Sequence, residues 1–430
     1  MTLALFGGPR AVERSLPPYR SIGEGEVRAV ERVARSGVLS GFYGNWGDEF
    51  RGGPAVHELE TAWQTRFGVR HAVSVNSATS GLFAAMGAVG ISPGDEVIVP
   101  PYTMSATAMA PLIYGGIPVF VDIEPETFCL DPEAVSRAIT PRTRAIIAVS
   151  LFGHPARLDE LRAIADGAGI YLVEDAAQAI LAEEGGGLAG TVGHIGVFSL
   201  NHHKHIHCGE GGMCVTGDDR LADRLRLIRN HGECVAEAAG VEDLTNLVGF
   251  NYRMTELSAA VALEQLARVD EHVTRREAVG RRLSDGIDGL EGLTPPAVRA
   301  GCRHVYYVWV MKVDEGHLGI SRSRFSEALE AEGFPHFAGY VAPLYRLPLF
   351  RRRIAVGRDG FPFTLTNRQY DDGLCPVAEV MHEREVIGFE PCAYDLTPRD
   401  LDDLVEAIRK VHAARHQLAA SPTPAGAARR

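Results

Sequence analysis

The chain has 430 residues, 46% of them apolar and 23% charged, and carries a formal net charge of −12 at pH 7. That length suits a large domain plus a smaller one with a cleft between them, and an acidic balance without a Lys/Arg run disfavours nucleic acid as a partner. The longest apolar stretches, such as 145–152, stop far short of a bilayer, and residues 1–9 lack the basic-then-apolar form of a secretory signal, so no membrane partner and a cytoplasmic location are expected.

In chain order, short β-rich runs at 72–75, 96–99, 118–121, 145–149 and 170–173 alternate with helical stretches. Continuous apolar strands of this kind are buried on both faces, which predicts an α/β fold with a mainly parallel sheet and ligands at the carboxyl ends of its strands. Asn76, Tyr102 and Asp175 all fall just after such strands. The turn 76–81 opens an Ala-rich helix with small residues, and two readings stand: a seat for a phosphate on free backbone N–H groups, or an ordinary Ser/Thr cap. A long Ala/Leu/Glu-rich helical segment runs from about Met254 towards Leu283, where a domain junction is placed. The predicted large domain, with an N-terminal arm, is therefore 1–283 and the smaller α/β domain 284–418. The latter has a strand at 305–313, a helix near 322–332 and a final helix from Asp400 to about Arg415. The Ala/Pro/Arg-rich tail, 419–430, is expected to be disordered. Seven scattered cysteines without a CxxC pair suggest reduced thiols.

Lys204 is one of three lysines and sits in the polar stretch 198–212, downstream of the acidic strand end Tyr171–Gln178. The pairing suggests pyridoxal phosphate chemistry. A lysine amine forms a Schiff base with the cofactor aldehyde, and Asp175 can keep the ring nitrogen protonated so that the ring draws electrons from a substrate carbon. His202, His203, His205 and His207 look like a metal tract, but a metal there would compete with the lysine, so none is expected.

Six segments, in order along the chain, resemble the DegT/DnrJ/StrS (sugar) aminotransferases, which have the fold-type I architecture of aspartate aminotransferase. They are 3–8, 93–103, 174–178, 198–200 with Lys204 and 209–212, 251–256, and 375–379. The resemblance implies that Lys204 holds the cofactor and shuttles the proton, that Asp175 pairs with the ring nitrogen, and that Gln178 meets the ring hydroxyl. It also implies that Tyr102 lies flat on the cofactor face. The phosphate falls to Ala78, Thr79 and Ser199, with Asn251 contributed by a neighbouring subunit, so a homodimer with shared sites follows. Ser77-Ala78 departs mildly from the family's usual Gly-Thr. Arg253 is expected near the same interface, either meeting the donor's carboxylate or in a structural ion pair.

Dehydrating relatives carry His where Lys204 stands, so the lysine implies amino transfer from L-glutamate or L-glutamine to a ketone. The opening 3–9 and the loop 39–46, with the aromatics Phe42, Tyr43 and Trp46, resemble the branch acting on keto-cyclitols and aromatic aminoshikimate precursors in secondary metabolism more than the nucleotide-sugar branch. Aromatic walls suit a polyol, whereas a nucleotide-ketosugar, the alternative acceptor, calls for added basic residues. His336, Tyr340 and Tyr345 lie in the second-domain stretch that approaches the cleft in relatives and are candidate substrate contacts. An alternative of another class is a cofactor-bound regulator or scaffold without turnover.

Overall fold

The computed structural model describes residues 2–419. Of the expected disordered tail only Ala419 is among them, closing a short helix, Arg415–Ala419; 420–430 lie outside the described residues.

The chain runs α1 (Glu24–Ser36), α2 (Pro54–Phe67), β1 (His71–Val75), α3 (Ala78–Ala88), β2 (Glu96–Val99), α4 (Ala106–Leu112), β3 (Ile117–Phe120), α5 (Pro132–Ala138), β4 (Thr143–Val149), α6 (Leu158–Ala168), β5 (Tyr171–Asp175), β6 (Ile195–Ser199), β7 (Gly212–Thr216) and α7 (Asp219–Arg229). The central sheet has the order β1-β7-β6-β5-β4-β2-β3. Strands β3, β2, β4, β5 and β6 are parallel, while β7 is antiparallel to both β6 and β1. β2 and β3 are buried throughout, as expected of strands covered on both faces. α3 is apolar on nearly all sides, with Leu82, Ala84, Ala85, Met86 and Ala88 buried, because it is wedged between the sheet and neighbouring helices. Gly81 permits this wedging: a Cβ there would stand 2.8 Å from Val197 and 2.9 Å from the Cys214 sulfur.

The expected single helix from Met254 is two, α8 (Glu256–Ala267) and α9 (Val269–Ile287), separated at Arg268. α9 serves two cores. Val269 and Val273 pack in the core around the large sheet, and Val279, Leu283 and Ile287 in a second one. The junction expected after residue 283 thus falls inside a continuous helix, since composition does not mark where an apolar stripe changes partners. The second core also takes in Leu3 and Val12, so the N-terminal arm packs away from the large sheet. Glu332 fastens it, accepting from the amides of Ala4 (2.8 Å) and Ala11 (3.0 Å) and from Lys410 Nζ (2.7 Å).

Around this second core, β8 (Leu293–Thr294), β9 (Trp309–Val313), β10 (Phe337–Ala338) and β11 (Val386–Phe389) form an antiparallel sheet ordered β8-β9-β11-β10. α10 (Arg322–Ala331) packs on it, and α11 (Pro398–Ala413) packs against α9 and α10 in the same core. α11 starts at a capping box of Thr397 and Asp400. The strand expected at 305–313 begins only at Trp309. Residues 304–308 are spent crossing between the cores, with Val305 N donating to Gly153 O (2.9 Å).

Candidate active site

The carboxyl ends of β1, β4, β5 and β6 open on a cavity of about 210 Å³. Asp175 closes β5 and is 5% exposed. One of its oxygens accepts from Ala177 N (3.1 Å) and the other from Thr107 Oγ1 (3.0 Å), contributed by the first turn of α4. Burial pushes its pKa up, against the pull of these two donors and of Lys204. Three residues on, Gln178 accepts from Phe152 N (2.8 Å) and donates to the Tyr340 hydroxyl (3.1 Å), which fixes a second-domain residue to the β5 turn.

Lys204 reaches the cavity from the turn after β6, whose form is set by its own amide donating to Asn201 O (3.0 Å). Burial brings its amine down to about 8, partly opposed by Asp175. Both groups pay more for leaving water than they recover from each other, and no contact ion pair joins them among the described residues. An amine that gives up its proton far more readily than an exposed lysine and a buried carboxylate without a contact ion pair face one cavity.

At the other end lies the start of α3. Ser77 caps it by accepting from Ser80 N (3.0 Å), which leaves the first-turn amides of Ala78 and Thr79 without intrahelical acceptors beside the cavity. Cap and anion seat, set as alternatives, are compatible. Gly212 lets the helix start lie against β7, for a Cβ there would stand 2.7 Å from Ala78 N. Ser199, at the end of β6, lines the same end.

The cavity gathers Ala78, Thr79, Asp175, Gln178, Ser199, Lys204 and Tyr340. Other candidates fall elsewhere. Tyr102 is fully buried in an aromatic cluster, edge-on to Tyr340 at 5.9 Å and near Phe128 and Phe152, and it does not line the cavity. The turn after β2 instead presents Thr103 and Met104, the latter 59% exposed. Tyr345 is buried against Phe120 (5.6 Å) with its hydroxyl on Glu379, and so is a core residue. His336 meets Ser326 Oγ (2.6 Å) and Phe334 O (2.9 Å) and lines a separate cavity of about 470 Å³ in the second domain. That cavity is larger but holds neither a lysine nor a strand-end carboxylate of the central sheet.

Tyr43 and Trp46 lie on a loop whose backbone is held by Asn230 Nδ2 donating to Tyr43 O (3.0 Å); neither reaches this chain's cavity. Asn251, exposed, accepts from Arg253 Nε (2.8 Å), and this pair too lies outside it. Of the histidines around Lys204, His205 turns to Val305 O (2.8 Å) and His207 to Ser21 Oγ (2.8 Å), while His203 lines the cavity with its ring edge-on to that of His202 at 4.9 Å. Thr107, Tyr307, Asn201 and Glu210 were not expected here. Thr107 had a signal in the sequence, being a hydroxyl residue a few positions past the strand read at 96–99.

The model of the DegT/DnrJ/EryC1/StrS aminotransferase family matches residues 26–409. The chain belongs to this family. It is 36% identical over 433 residues to an L-glutamine:2-deoxy-scyllo-inosose aminotransferase of Streptoalloteichus tenebrarius, covering 95% of this chain and 97% of that one. Among solved structures, an aminotransferase from Psychrobacter cryohalolentis superposes with a TM-score of 0.80 at 28% identity, over 94% of this chain and 100% of the other. DesI, solved in the presence of its TDP-sugar product, gives 0.78 at 30% identity over 96% and 99%. This DegT/DnrJ/EryC1/StrS aminotransferase is a pyridoxal-phosphate-dependent transaminase of fold type I. Its cavity fits that cofactor by its donor set: free helix amides for a phosphate, a buried carboxylate without a contact ion pair, and a lysine amine whose pKa burial lowers to about 8. No helix among the described residues is long and apolar enough to cross a membrane.

Proposed function

We propose that this aminotransferase carries an amino group from L-glutamine or L-glutamate to a ring ketone of a cyclitol, in a secondary-metabolic pathway. The cofactor, when bound, supplies an electron-poor ring that stabilises negative charge at the substrate carbon. Lys204 holds it covalently and moves the proton at that carbon, while Asp175 accepts the N–H of the ring nitrogen and Gln178 meets the ring hydroxyl. Ala78, Thr79 and Ser199 hold the phosphate. Asn251 and Arg253 serve the site of a second copy of the chain in a homodimer, as do Tyr43 and Trp46, which is supported by all four lying outside this chain's own cavity, with Asn251, Tyr43 and Trp46 exposed and Arg253 half-buried. Arg253 there meets the donor's carboxylate. The seven unpaired cysteines support a cytoplasmic setting.

The observation that carries the choice of acceptor is the lining of the cavity. Among the described residues that this chain contributes, Lys204 is the only Lys or Arg, the second copy adding Arg253 for the donor's carboxylate, and the rest are small, hydroxylic, amide or aromatic groups beside a few acidic and apolar ones. An uncharged polyol needs no more, whereas a diphosphate calls for Arg or Lys forks. The similarity to the 2-deoxy-scyllo-inosose enzyme agrees. A nucleotide-ketosugar acceptor is the second reading, favoured by the likeness to DesI with its TDP-sugar product. The test loads the enzyme with L-glutamine, removes the donor, and adds keto-cyclitols or nucleotide ketosugars while following the cofactor's visible absorbance and the mass of the aminated product. Discharge by keto-cyclitols alone is expected. Discharge by nucleotide sugars alone overturns the acceptor, and no loading by either donor favours a scaffold without turnover.

A further inference from the structure

Among the described residues no hydrogen bond reaches the Lys204 amine; its neighbour is a ring. Nζ lies 4.2 Å from the centroid of Tyr307, a buried residue that lines the cavity. Tyr307 belongs to the link between the two cores. The link is pinned at both ends by Val305 N on Gly153 O (2.9 Å) and Val308 N on Phe152 O (3.2 Å). Between these pins Tyr306 takes a φ of +49°, a left-handed conformation that bulky side chains rarely adopt, and its ring stacks on His304 with centroids 4.0 Å apart. The two consecutive rings therefore enter different cores, Tyr306 the second and Tyr307 the first. Gly153 leaves room for the turn, since a Cβ there would stand 2.9 Å from both tyrosine amides.

We propose that Tyr307 is a positioning residue for Lys204, its ring seating the amine at the cavity wall and tying that placement to the packing between the two cores. A cation over an aromatic face is held by the ring quadrupole, most strongly where water is excluded, so the ring matters and the hydroxyl does not. The other groups that act on the amine are Asp175 at the end of β5, Glu390 and Cys392 in the turn after β11, and His203 and His205 in its own turn. Among the described residues only Tyr307 offers it a π face at contact distance.

The functional meaning rests on Lys204 being the reacting amine, but the contact is measurable without the cofactor. The three lysines of the cofactor-free full chain are reductively methylated with ¹³C-formaldehyde and titrated by NMR. Lys312, on Pro125 O (3.0 Å), and Lys410, on Glu332 (2.7 Å), act as fold controls. Tyr307→Phe is expected to leave the Lys204 midpoint in place. Tyr307→Leu and Tyr307→Met, which keep apolar bulk but remove the ring, are expected to lower it by about one pH unit with the control resonances unmoved. A midpoint unchanged or raised in both non-aromatic variants overturns the proposal. Borohydride trapping of added cofactor, mapped by peptide, separately reads whether Lys204 is the reacting amine, so a failure of that assignment is distinguishable from a failure of the contact.

Discussion

Thr107→Val removes one of two donors to a buried carboxylate while keeping the shape of the side chain. Thr107 is fully buried, its hydroxyl stands 3.0 Å from Asp175 Oδ2, and the carboxylate then retains only the Ala177 amide at 3.1 Å. A hydrogen bond to a charged group is worth about 1.5–3 kcal/mol, which corresponds to roughly a 10- to 150-fold change in the equilibrium that depends on the ionised form, or about one to two pKa units. Asp175 already lies above the ordinary range through burial, so the variant raises it further. If the ionised carboxylate is what holds the cofactor's ring nitrogen, cofactor affinity measured by fluorescence quenching falls in the variant, most steeply towards the acid end of the pH range. The sign follows from the raised pKa: affinity is lost as pH falls through it, and in the variant that loss begins about one to two units higher. Thr107→Ser, which restores the donor, stays within about threefold of the wild type. Equal affinity and an unmoved acid limb in Thr107→Val would refute the role given to Asp175.

Gly212→Ala places a methyl 2.7 Å from Ala78 N, so the phosphate end should open and the affinity for inorganic phosphate or cofactor drop about tenfold or more by calorimetry, with the fold retained by circular dichroism. Glu60→Gln leaves the fully buried Arg229 guanidinium without its carboxylate (2.7 Å); a loss of about 3–5 kcal/mol in urea unfolding is expected, against less than 1 kcal/mol if the pair is dispensable. Glu332→Ala frees the amides of Ala4 and Ala11 and leaves Lys410 with the Pro9 carbonyl but no carboxylate, and limited proteolysis should then cut the N-terminal arm first.

Strands β2, β3, β4 and β5 were legible because each is a short, continuous apolar run, and β2 coincides with the run read at 96–99, whereas β6, equally parallel, was not among the runs read. β7 was not, since Gly212–Thr216 is brief and preceded by a polar, glycine-rich stretch, and its antiparallel pairing depends on distant partners. Lys204, Asp175 and Gln178 share one cavity because their motifs fix them at strand ends and turns. Tyr102, one residue upstream of the lining pair Thr103 and Met104, shows the limit: past the end of a strand, alternation no longer tells which side chain faces the cleft. Tyr345 and His336 are in the expected stretch, yet Glu379 and Ser326 claim their polar atoms, and neither partnership is visible in spacing. The two-core role of α9 was hidden for the same reason.

The decisive measurement is borohydride reduction of the cofactor-loaded chain followed by peptide mapping, made simple by there being only three lysines. A single stable label on Lys204 is expected, with none in Lys204→Ala. A label on Lys312 or Lys410, or a chain that takes up no cofactor at all, would contradict the account at its base.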